Sequence, residues 1–190
     1  MGRLHAGKGT SCTVNPQAGM EKGLALTRTD KKKNVLIVGG GPAGMEAARV
    51  ARIRGHEVTL WEKSSDLGGN LIPASIPDFK RDMKIYLEYQ IRQLRKLGVK
   101  IETNREATFQ SIQKAAPQSV VLASGATAVI PDVPGIHSNN IITAIDLLLG
   151  RGKTGEEIII LGGGLVGCET AVYLAQKGKK VTILKRSATL

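Results

Sequence analysis

The pattern G-x-G-x-x-G occurs twice in this chain, each time after a short apolar run and before a segment with helical periodicity. The glycines of the two copies are Gly39, Gly41, Gly44, Gly162, Gly164 and Gly167. Only a residue without a side chain lets the backbone turn tightly after a strand and approach a phosphate closely. The N-terminus of the following helix offers free N–H groups to that phosphate. The two copies therefore predict two nucleotide-binding βαβ units.

The segments around these turns alternate between strand and helix patterns, which is typical of an α/β protein with a Rossmann-like parallel sheet. The predicted strands cover residues 35–38, 58–61, 99–103, 120–123, 158–161 and 181–184. The predicted helices cover residues 43–54, 79–97, 141–149 and 166–177. Continuous apolar runs such as 35–38 and 120–123 indicate strands buried on both faces of the sheet.

The spacing of these elements suggests three parts. We expect a leader at residues 1–30, which lacks clear periodicity, and an incomplete first nucleotide domain at residues 31–137. The start of a second nucleotide domain follows at residues 138–190. Because the sequence stops soon after the second strand of that unit, we expect the chain to be a fragment of a longer protein.

The composition limits the possible partners. A hydrophobic content of 42% is sufficient for packed cores, and 3% aromatic residues with 23 glycines favour an α/β fold. The net charge is +11, but without a basic helix or aromatic stacking residues we expect no nucleic-acid partner and assign part of the charge to anionic cofactors. No apolar run reaches the roughly 18 residues of a membrane helix. We therefore expect no membrane partner. The two cysteines lie far apart and form no disulfide framework, so we expect the protein in a reducing cytoplasm.

The first unit carries an acidic residue at the tip of its second strand. Glu62 follows Trp61, and a carboxylate there accepts hydrogen bonds from the hydroxyls of an adenosine ribose. The same charge repels a 2′-phosphate, so the site should take FAD or NAD rather than NADP. Pro42 and Ala43 in the turn and Lys63 beside the carboxylate complete the predicted contacts.

The second unit repeats the glycine turn without the acidic residue. Leu165 and Val166 occupy its turn, while Lys185 and Arg186 follow its second strand. Two cations suit a 2′-phosphate and favour NADPH over NADH, and the alternative is that they are solvated charges at a strand end. Cys168 lies in the first helical turn, where a packed apolar thiol is favoured over a reactive one.

The motifs GGGPAG, WEK and LGGNL, in that order, resemble the FAD-binding half of the two-dinucleotide flavoproteins. The resemblance implies that Gly68 and Gly69 pass close to the pyrophosphate of FAD. The stretch VVLASGATAVIPDVPGI is similar to the Ala-Thr-Gly turn of that family, and its turn residues are Ala123, Ser124 and Gly125. Ser124 replaces the usual threonine and keeps the hydroxyl.

The segment GKGTSCTVNPQAGME resembles the linker of multidomain old-yellow-enzyme-like flavoprotein reductases, the family of 2,4-dienoyl-CoA reductase, enoate reductase and trimethylamine dehydrogenase. The resemblance implies that Cys12 is the last of four ligands to a [4Fe–4S] cluster in a full-length parent, the alternative being a free exposed thiol. It also implies an FMN barrel before residue 1 and the remainder of the NAD(P)H and FAD domains after Leu190. No cysteine lies between Cys12 and Cys168, so a thiol relay beside the flavin is not expected.

The resemblance implies an electron-input module in which NAD(P)H reduces FAD, with electrons continuing in the parent to the iron–sulfur cluster, FMN and an activated alkene. One alternative is a structural domain that binds FAD or ADP and has a silent second nucleotide site. Another is a reductase of the glutamate synthase small-subunit type. No residue is assigned as a catalytic acid, base or nucleophile, because the cofactors perform the hydride chemistry.

Overall fold

The computed structural model describes residues 11–185. Their strands are β1 (Asn34–Val38), β2 (Glu57–Trp61), β3 (Lys100–Glu102), β4 (Ser119–Leu122), β5 (Glu157–Leu161) and β6 (Lys180–Leu184). Their helices are α1 (Pro42–Ile53), α2 (Leu71–Ala74), α3 (Arg81–Lys96, after a 3₁₀ turn at Asp78–Lys80), α4 (Phe109–Ala115), α5 (Ala144–Leu148) and α6 (Leu165–Gln176). The predicted α/β class is confirmed. Among the helices of these residues, none is long and apolar enough to cross a membrane.

The chain divides into two compact units. The first unit comprises Met1–Gly69 and Ile85–Gly125, and the second comprises Asn70–Lys84 and Ala126–Leu190, each as far as the structure describes it. Each unit is therefore built from two separate segments of sequence. The nucleotide domains expected at 31–137 and 138–190 are contiguous in sequence, and they stay a prediction.

Within the described residues, the first unit has a parallel sheet of four strands in the order β3-β2-β1-β4. β1 lies between β2 and β4, so Val38 is in register with Trp61 on one side and with Leu122 on the other. Parallel neighbours need a crossover connection, and α1 supplies it between β1 and β2. The largest fully buried side chains of this unit are Ile37, Met45, Leu60 and Leu94.

Helix α1 packs by a narrow face that combines two small residues with one methionine. Gly44, Met45 and Ala48 are buried, and their spacing places them on one side of the helix. The helix begins with Pro42 in its first turn, a position where the backbone N–H of a helix has no intrahelical partner. The turn before α1 is thereby held close to the sheet.

The second unit contains, in its described part, β5 and β6 paired in parallel and joined by α6. Thr170 and Leu174 are the buried residues of α6. The strands are only half covered, since Ile159 is 65% exposed and Leu161 is 55% exposed. The strand–turn–helix–strand order is nevertheless the one that the second glycine motif predicts.

Strand β4 is more open than its sequence predicts. The apolar run 120–123 predicts a buried strand, but Leu122 is 73% exposed and Val120 is 40% exposed. That burial prediction is wrong, because β4 is an edge strand among residues 11–185 and too little of this part of the chain packs on its faces to cover them. Apolar composition reports the tendency of a strand to be buried, whereas its neighbours decide how much of it is covered.

The sequence patterns did not predict α2 or α4. The side chain of Thr108 accepts the N–H of Ser111, and the Ser111 hydroxyl accepts the N–H of Thr108, which forms a capping box at the start of α4. Serine replaces the usual Glu or Gln of that motif, so the sequence signal is weak. The four residues of α2 are too few to show helical periodicity.

Candidate dinucleotide-binding site

The first glycine turn connects β1 to α1 by a backbone path that excludes side chains. Gly39 has a φ of +106°, and its N–H donates to the carbonyl of Trp61 at 2.8 Å. A Cβ atom at Gly39 would overlap the carbonyl of Ala123, and one at Gly44 would overlap the carbonyl of Gly39. The first and last glycines of the motif are thus required by packing within the protein.

The middle glycine faces open space. A Cβ atom at Gly41 would meet no atom of the described residues within 4 Å. Pro42 and Ala43, which follow it in the first turn of α1, are exposed. The N-terminus of α1 is therefore accessible from this side, as the binding of a pyrophosphate requires.

A second glycine pair lies directly on this turn. The N–H of Gly68 donates to the carbonyl of Gly40 at 2.8 Å. Gly69 has a φ of +51°, and a Cβ atom added there would stand 3.2 Å from the Cα of Gly41. The structure thus brings Gly68 and Gly69 to the open turn, where the family resemblance places them.

The carboxylate of Glu62 lies behind the turn and is 8% exposed. Its Oε2 accepts the N–H of Gly40 at 2.6 Å. Its Oε1 accepts both the N–H of Ser64 at 2.8 Å and the hydroxyl of Ser64 at 2.6 Å. Burial acts to raise the pKa of Glu62, but the hydrogen bonds from Ser64 and Gly40 and the charge of Lys63 outweigh it and lower the pKa. The carboxylate is thus held ionised at the tip of β2, while Lys63 is exposed.

The segment after β3 supports the loop that carries Glu62. The N–H of Glu62 donates to the backbone carbonyl of Glu102, the last residue of β3, at 3.0 Å. The carbonyl of Glu62 accepts the N–H of Arg105 at 2.8 Å. The carbonyl of Ser64 accepts the N–H of Asn104 at 2.9 Å. The sequence patterns did not identify this support. Asn104, at a φ of 52°, is its one local signal, because asparagine tolerates left-handed backbone better than most residues.

Arg105 adds a side-chain contact beneath the same loop. Its guanidinium lies 3.8 Å from the centre of the Trp61 ring, a cation–π geometry, and it also pairs with Glu102. These contacts connect the end of β2 to the end of β3 and the segment that follows it. Ala123 lies against Gly39, whereas Ser124 and Gly125 beyond it are exposed.

The second glycine turn repeats the geometry of the first. Gly162 has a φ of +116°, and its N–H donates to the carbonyl of Leu184 at 2.8 Å. A Cβ atom at Gly167 would overlap the carbonyl of Gly162, whereas one at Gly164 would meet no described atom within 4 Å. Leu165 and Val166, which lie in the first turn of α6, are 83% and 61% exposed. Both motifs therefore have a first glycine at positive φ, a last glycine required by packing, and a middle glycine that leaves the helix N-terminus open.

The predicted cations of the second unit are described only in part. Lys185 is exposed and directly follows β6, beside the strand end that pairs with Gly162. Arg186 lies outside the described residues. Cys168 is half-buried, and its thiol donates to the carbonyl of Gly163 at 3.6 Å. Cys12 is exposed, and residues 11–185 contain no cluster of three His, Cys, Asp or Glu side chains that could hold a metal ion.

A mostly apolar pocket of about 340 Å³ lies in the second unit. It is lined by five residues between positions 70 and 80, by residues 126–128, by α5 and its N-cap, and by the first turns of α6. At its wall, Lys80 Nζ pairs with Glu169 Oε2 at 2.6 Å, although the two residues are far apart in sequence. Glu169 follows the second glycine motif, but no sequence pattern indicated its partner.

The family model for pyridine nucleotide-disulphide oxidoreductases matches residues 33–190. The chain belongs to this family. It is 47% identical over 185 residues to cinnamate reductase of Clostridium sporogenes, covering 97% of this chain and 28% of that protein. It is 41% identical over 189 residues to NADH oxidase of Thermoanaerobacter brockii, covering 97% of this chain and 29% of that protein.

A solved structure of 2-naphthoyl-CoA reductase superposes with a TM-score of 0.87 at 39% identity, covering 91% of this chain and 26% of that one. The chain thus spans between a quarter and three tenths of the length of these relatives. The predicted family of multidomain flavoprotein reductases and the predicted Rossmann-like fold are confirmed. At the level of the family, so is the predicted class, an FAD-dependent oxidoreductase.

Proposed function

We propose that this chain is the electron-input part of a larger NAD(P)H-dependent flavoprotein oxidoreductase. FAD is held by the first unit, NAD(P)H is held by the second, and a hydride passes from the nicotinamide to the flavin. The observation that carries the proposal is the pair of glycine turns with matching geometry, since Gly41 and Gly164 both leave a helix N-terminus open. FAD, when bound, supplies two-electron acceptance and one-electron release, and the protein supplies binding and orientation.

The residues of the first turn fit an adenine dinucleotide. The N-terminus of α1 and the backbone at Gly41 and Gly69 bind the pyrophosphate, because no side chain stands between backbone and ligand there. The ionised carboxylate of Glu62 accepts ribose hydroxyls and disfavours a 2′-phosphate. FAD is therefore favoured over an NADP-type ligand in this unit.

The second unit binds the nicotinamide dinucleotide, with NADPH favoured over NADH. Lys185 stands directly after β6, where the corresponding position of the first unit is the acidic Glu62. Together with Arg186 it supplies positive charge for a 2′-phosphate. Leu165 and Val166 line the approach to the turn.

The longer protein is proposed to contain the remaining cofactors. Cys12 then contributes one ligand to a [4Fe–4S] cluster, and its exposure leaves the thiol accessible. A cluster needs four thiolates, so the other three must come from residues outside this sequence. An FMN barrel would complete the path, and the similarity to cinnamate reductase and 2-naphthoyl-CoA reductase favours an activated alkene or a conjugated acyl-CoA as the final acceptor. The proposed location is the cytoplasm.

The test is anaerobic reduction of an enzyme that contains this chain. We expect its flavin absorbance band to bleach when NADPH is added, and more slowly when NADH is added. A flavin that stays oxidised with both nucleotides, but bleaches with dithionite, would instead support a structural domain with a silent second site. An enzyme purified with no FAD, and unable to take it up, would overturn the proposal for the first unit.

A further inference from the structure

Three protein donors hold the carboxylate of Glu62, and two of them belong to one residue. Ser64 donates its N–H at 2.8 Å and its hydroxyl at 2.6 Å to the same oxygen, Oε1. Gly40 donates to the other oxygen, Oε2. An ionised carboxylate has about four acceptor positions, so acceptor capacity remains for a ligand hydroxyl. The direction in which the free acceptor position of Glu62 points depends on the hydrogen bonds at its other positions.

Ser64 is itself fixed by the fold. Its carbonyl accepts the N–H of Asn104 from the segment after β3. Beside this contact, the carbonyl of Glu62 accepts the N–H of Arg105. Ser64 therefore links the segment after β3 to the carboxylate of Glu62 by hydrogen bonds on both sides. Its neighbour Ser65 does not contribute, because the Ser65 hydroxyl donates to Asp66 Oδ2 instead.

The Ser64 hydroxyl has two acceptors but only one proton. Glu62 Oε1 lies at 2.6 Å and the carbonyl oxygen of Asp66 at 3.1 Å. The carboxylate is nearer and charged, and hydrogen bonds to a charged acceptor are the stronger kind. The proton therefore goes to Glu62, and the hydroxyl orients the carboxylate.

We infer that Ser64 is a positioning residue for the adenosine ribose of the bound dinucleotide: it fixes the carboxylate of Glu62 in the orientation that accepts the ribose hydroxyl. This inference rests on the proposed FAD site in the first unit. Ser64 acts through Glu62, so its effect depends on the ligand having that hydroxyl. A residue that only stabilised the loop would affect ligands with and without the hydroxyl alike.

Calorimetric titration of this chain with ADP, 2′-deoxy-ADP and 3′-deoxy-ADP tests the inference. We expect Ser64→Ala to weaken ADP binding about two- to tenfold, the range that corresponds to loss of one net hydrogen bond. Binding of the deoxy analogue that lacks the contacted hydroxyl should change less than about twofold. Ser64→Thr, which keeps a hydroxyl and the N–H, should restore ADP affinity, and Ser65→Ala is the matched control with no expected effect.

The outcomes separate the inference from the proposed function. If the wild-type chain binds none of the three ligands, the nucleotide site itself is overturned, and the inference with it. If the wild type binds ADP but Ser64→Ala binds all three ligands more weakly by the same factor, Ser64 is only structural. Tighter ADP binding by Ser64→Ala would show that the Ser64 hydroxyl competes with the ribose, and unchanged ADP binding would show that it does not position the carboxylate. Either result would overturn the inference alone.

A measurement without nucleotide checks the first step. The carboxyl carbon of Glu62, followed by NMR during acid titration, should show a higher pKa in Ser64→Ala than in the wild type, because two donors at Oε1 become one. Ser65→Ala should leave that titration unchanged. A Glu62 pKa that is the same in Ser64→Ala as in the wild type would contradict the assigned hydrogen bond.

Discussion

The Oε2 atom of Glu62 accepts the backbone N–H of Gly40 at 2.6 Å. This contact joins the tip of β2 to the second residue of the glycine turn. Because Glu62 is 8% exposed, an apolar replacement would leave the N–H of Gly40 without that partner in a buried place. The carboxylate therefore stabilises the turn in addition to its proposed contact with the ribose.

Replacing Glu62 should affect stability and flavin content together. We expect Glu62→Ala to lower the free energy of unfolding by about 1–3 kcal/mol, since buried donors lose their acceptor. FAD retention in an enzyme containing the chain should fall as well. Urea unfolding and the flavin-to-protein absorbance ratio measure the two effects. Unchanged flavin content and affinity would count against the role assigned to Glu62.

The free energy of unfolding should depend on pH through the ionisation of Glu62. The folded-state pKa of Glu62 lies below its ordinary value of 4.5, so its contribution is present above about pH 4.5 and lost as the pH falls through the folded-state pKa. The difference in free energy of unfolding between wild type and Glu62→Gln should therefore shrink on acidification below pH 4.5. Urea unfolding from pH 7 to pH 3 measures it, and a difference that grows on acidification would contradict the assigned hydrogen bonds.

Alanine substitution should affect two glycines of the first motif differently, one in stability and the other in ligand binding. Gly44→Ala places a Cβ atom onto the carbonyl of Gly39, so we expect a severely destabilised chain. Gly41→Ala meets no described atom within 4 Å, so the chain should fold normally and bind ADP more weakly. Thermal unfolding and ADP titration separate the two effects. A stable Gly44→Ala variant would refute the packing role of that glycine.

The second motif offers a matched pair. Gly167→Ala should destabilise the chain in the manner of the first unit, because its Cβ atom would overlap the carbonyl of Gly162. Gly164→Ala should leave the fold intact and weaken binding of the nicotinamide dinucleotide. If both variants lose the fold equally, the open position at Gly164 is not the ligand side of the turn.

The ion pair between Lys80 and Glu169 should contribute modestly to stability. Its Nζ–Oε2 distance is 2.6 Å, but the Glu169 side chain is 39% exposed, so solvent screens the pair. We expect a coupling energy of about 0.2–1 kcal/mol in a double-mutant cycle of Lys80→Met and Glu169→Gln. Urea unfolding of the four proteins measures it. Strictly additive single effects would mean that the pair contributes no net stability.

The cations after β6 should set the choice between nicotinamide dinucleotides. Lys185→Ala combined with Arg186→Ala should narrow the preference for NADPH over NADH, since a 2′-phosphate loses its opposite charges. The ratio of kcat/KM for the two nucleotides, in an enzyme containing the chain, is the readout. Lys180→Ala, at the other end of β6, is the control. A ratio equal to that of the wild type would assign the two cations to ordinary surface charge.

The local parts of the fold were predictable from the sequence. The glycine turns, α1 and the strands β1 and β2 follow from steric requirements and short-range periodicity, and their observed bounds lie within a residue of those expected. The capping box at Thr108 was not predictable, because a serine in its fourth position is a weak signal. The exposure of Leu122 could not be predicted either, since it depends on which parts of the chain pack on the faces of β4.

The candidate site divides in the same way. By itself the sequence determined the two glycine turns, the acidic residue at the end of β2 and the family, because backbone sterics at glycine leave few alternatives and act over a few residues. Only the tertiary structure decided that Ser64 and Gly40 hold the carboxylate, that Asn104 holds Ser64 and that Lys80 meets Glu169. Most of those contacts join residues distant in sequence. They form only where parallel strands bring their carboxyl ends to one edge or where a helix packs on a loop. The periodicity of the sequence reports local structure, so it cannot predict them.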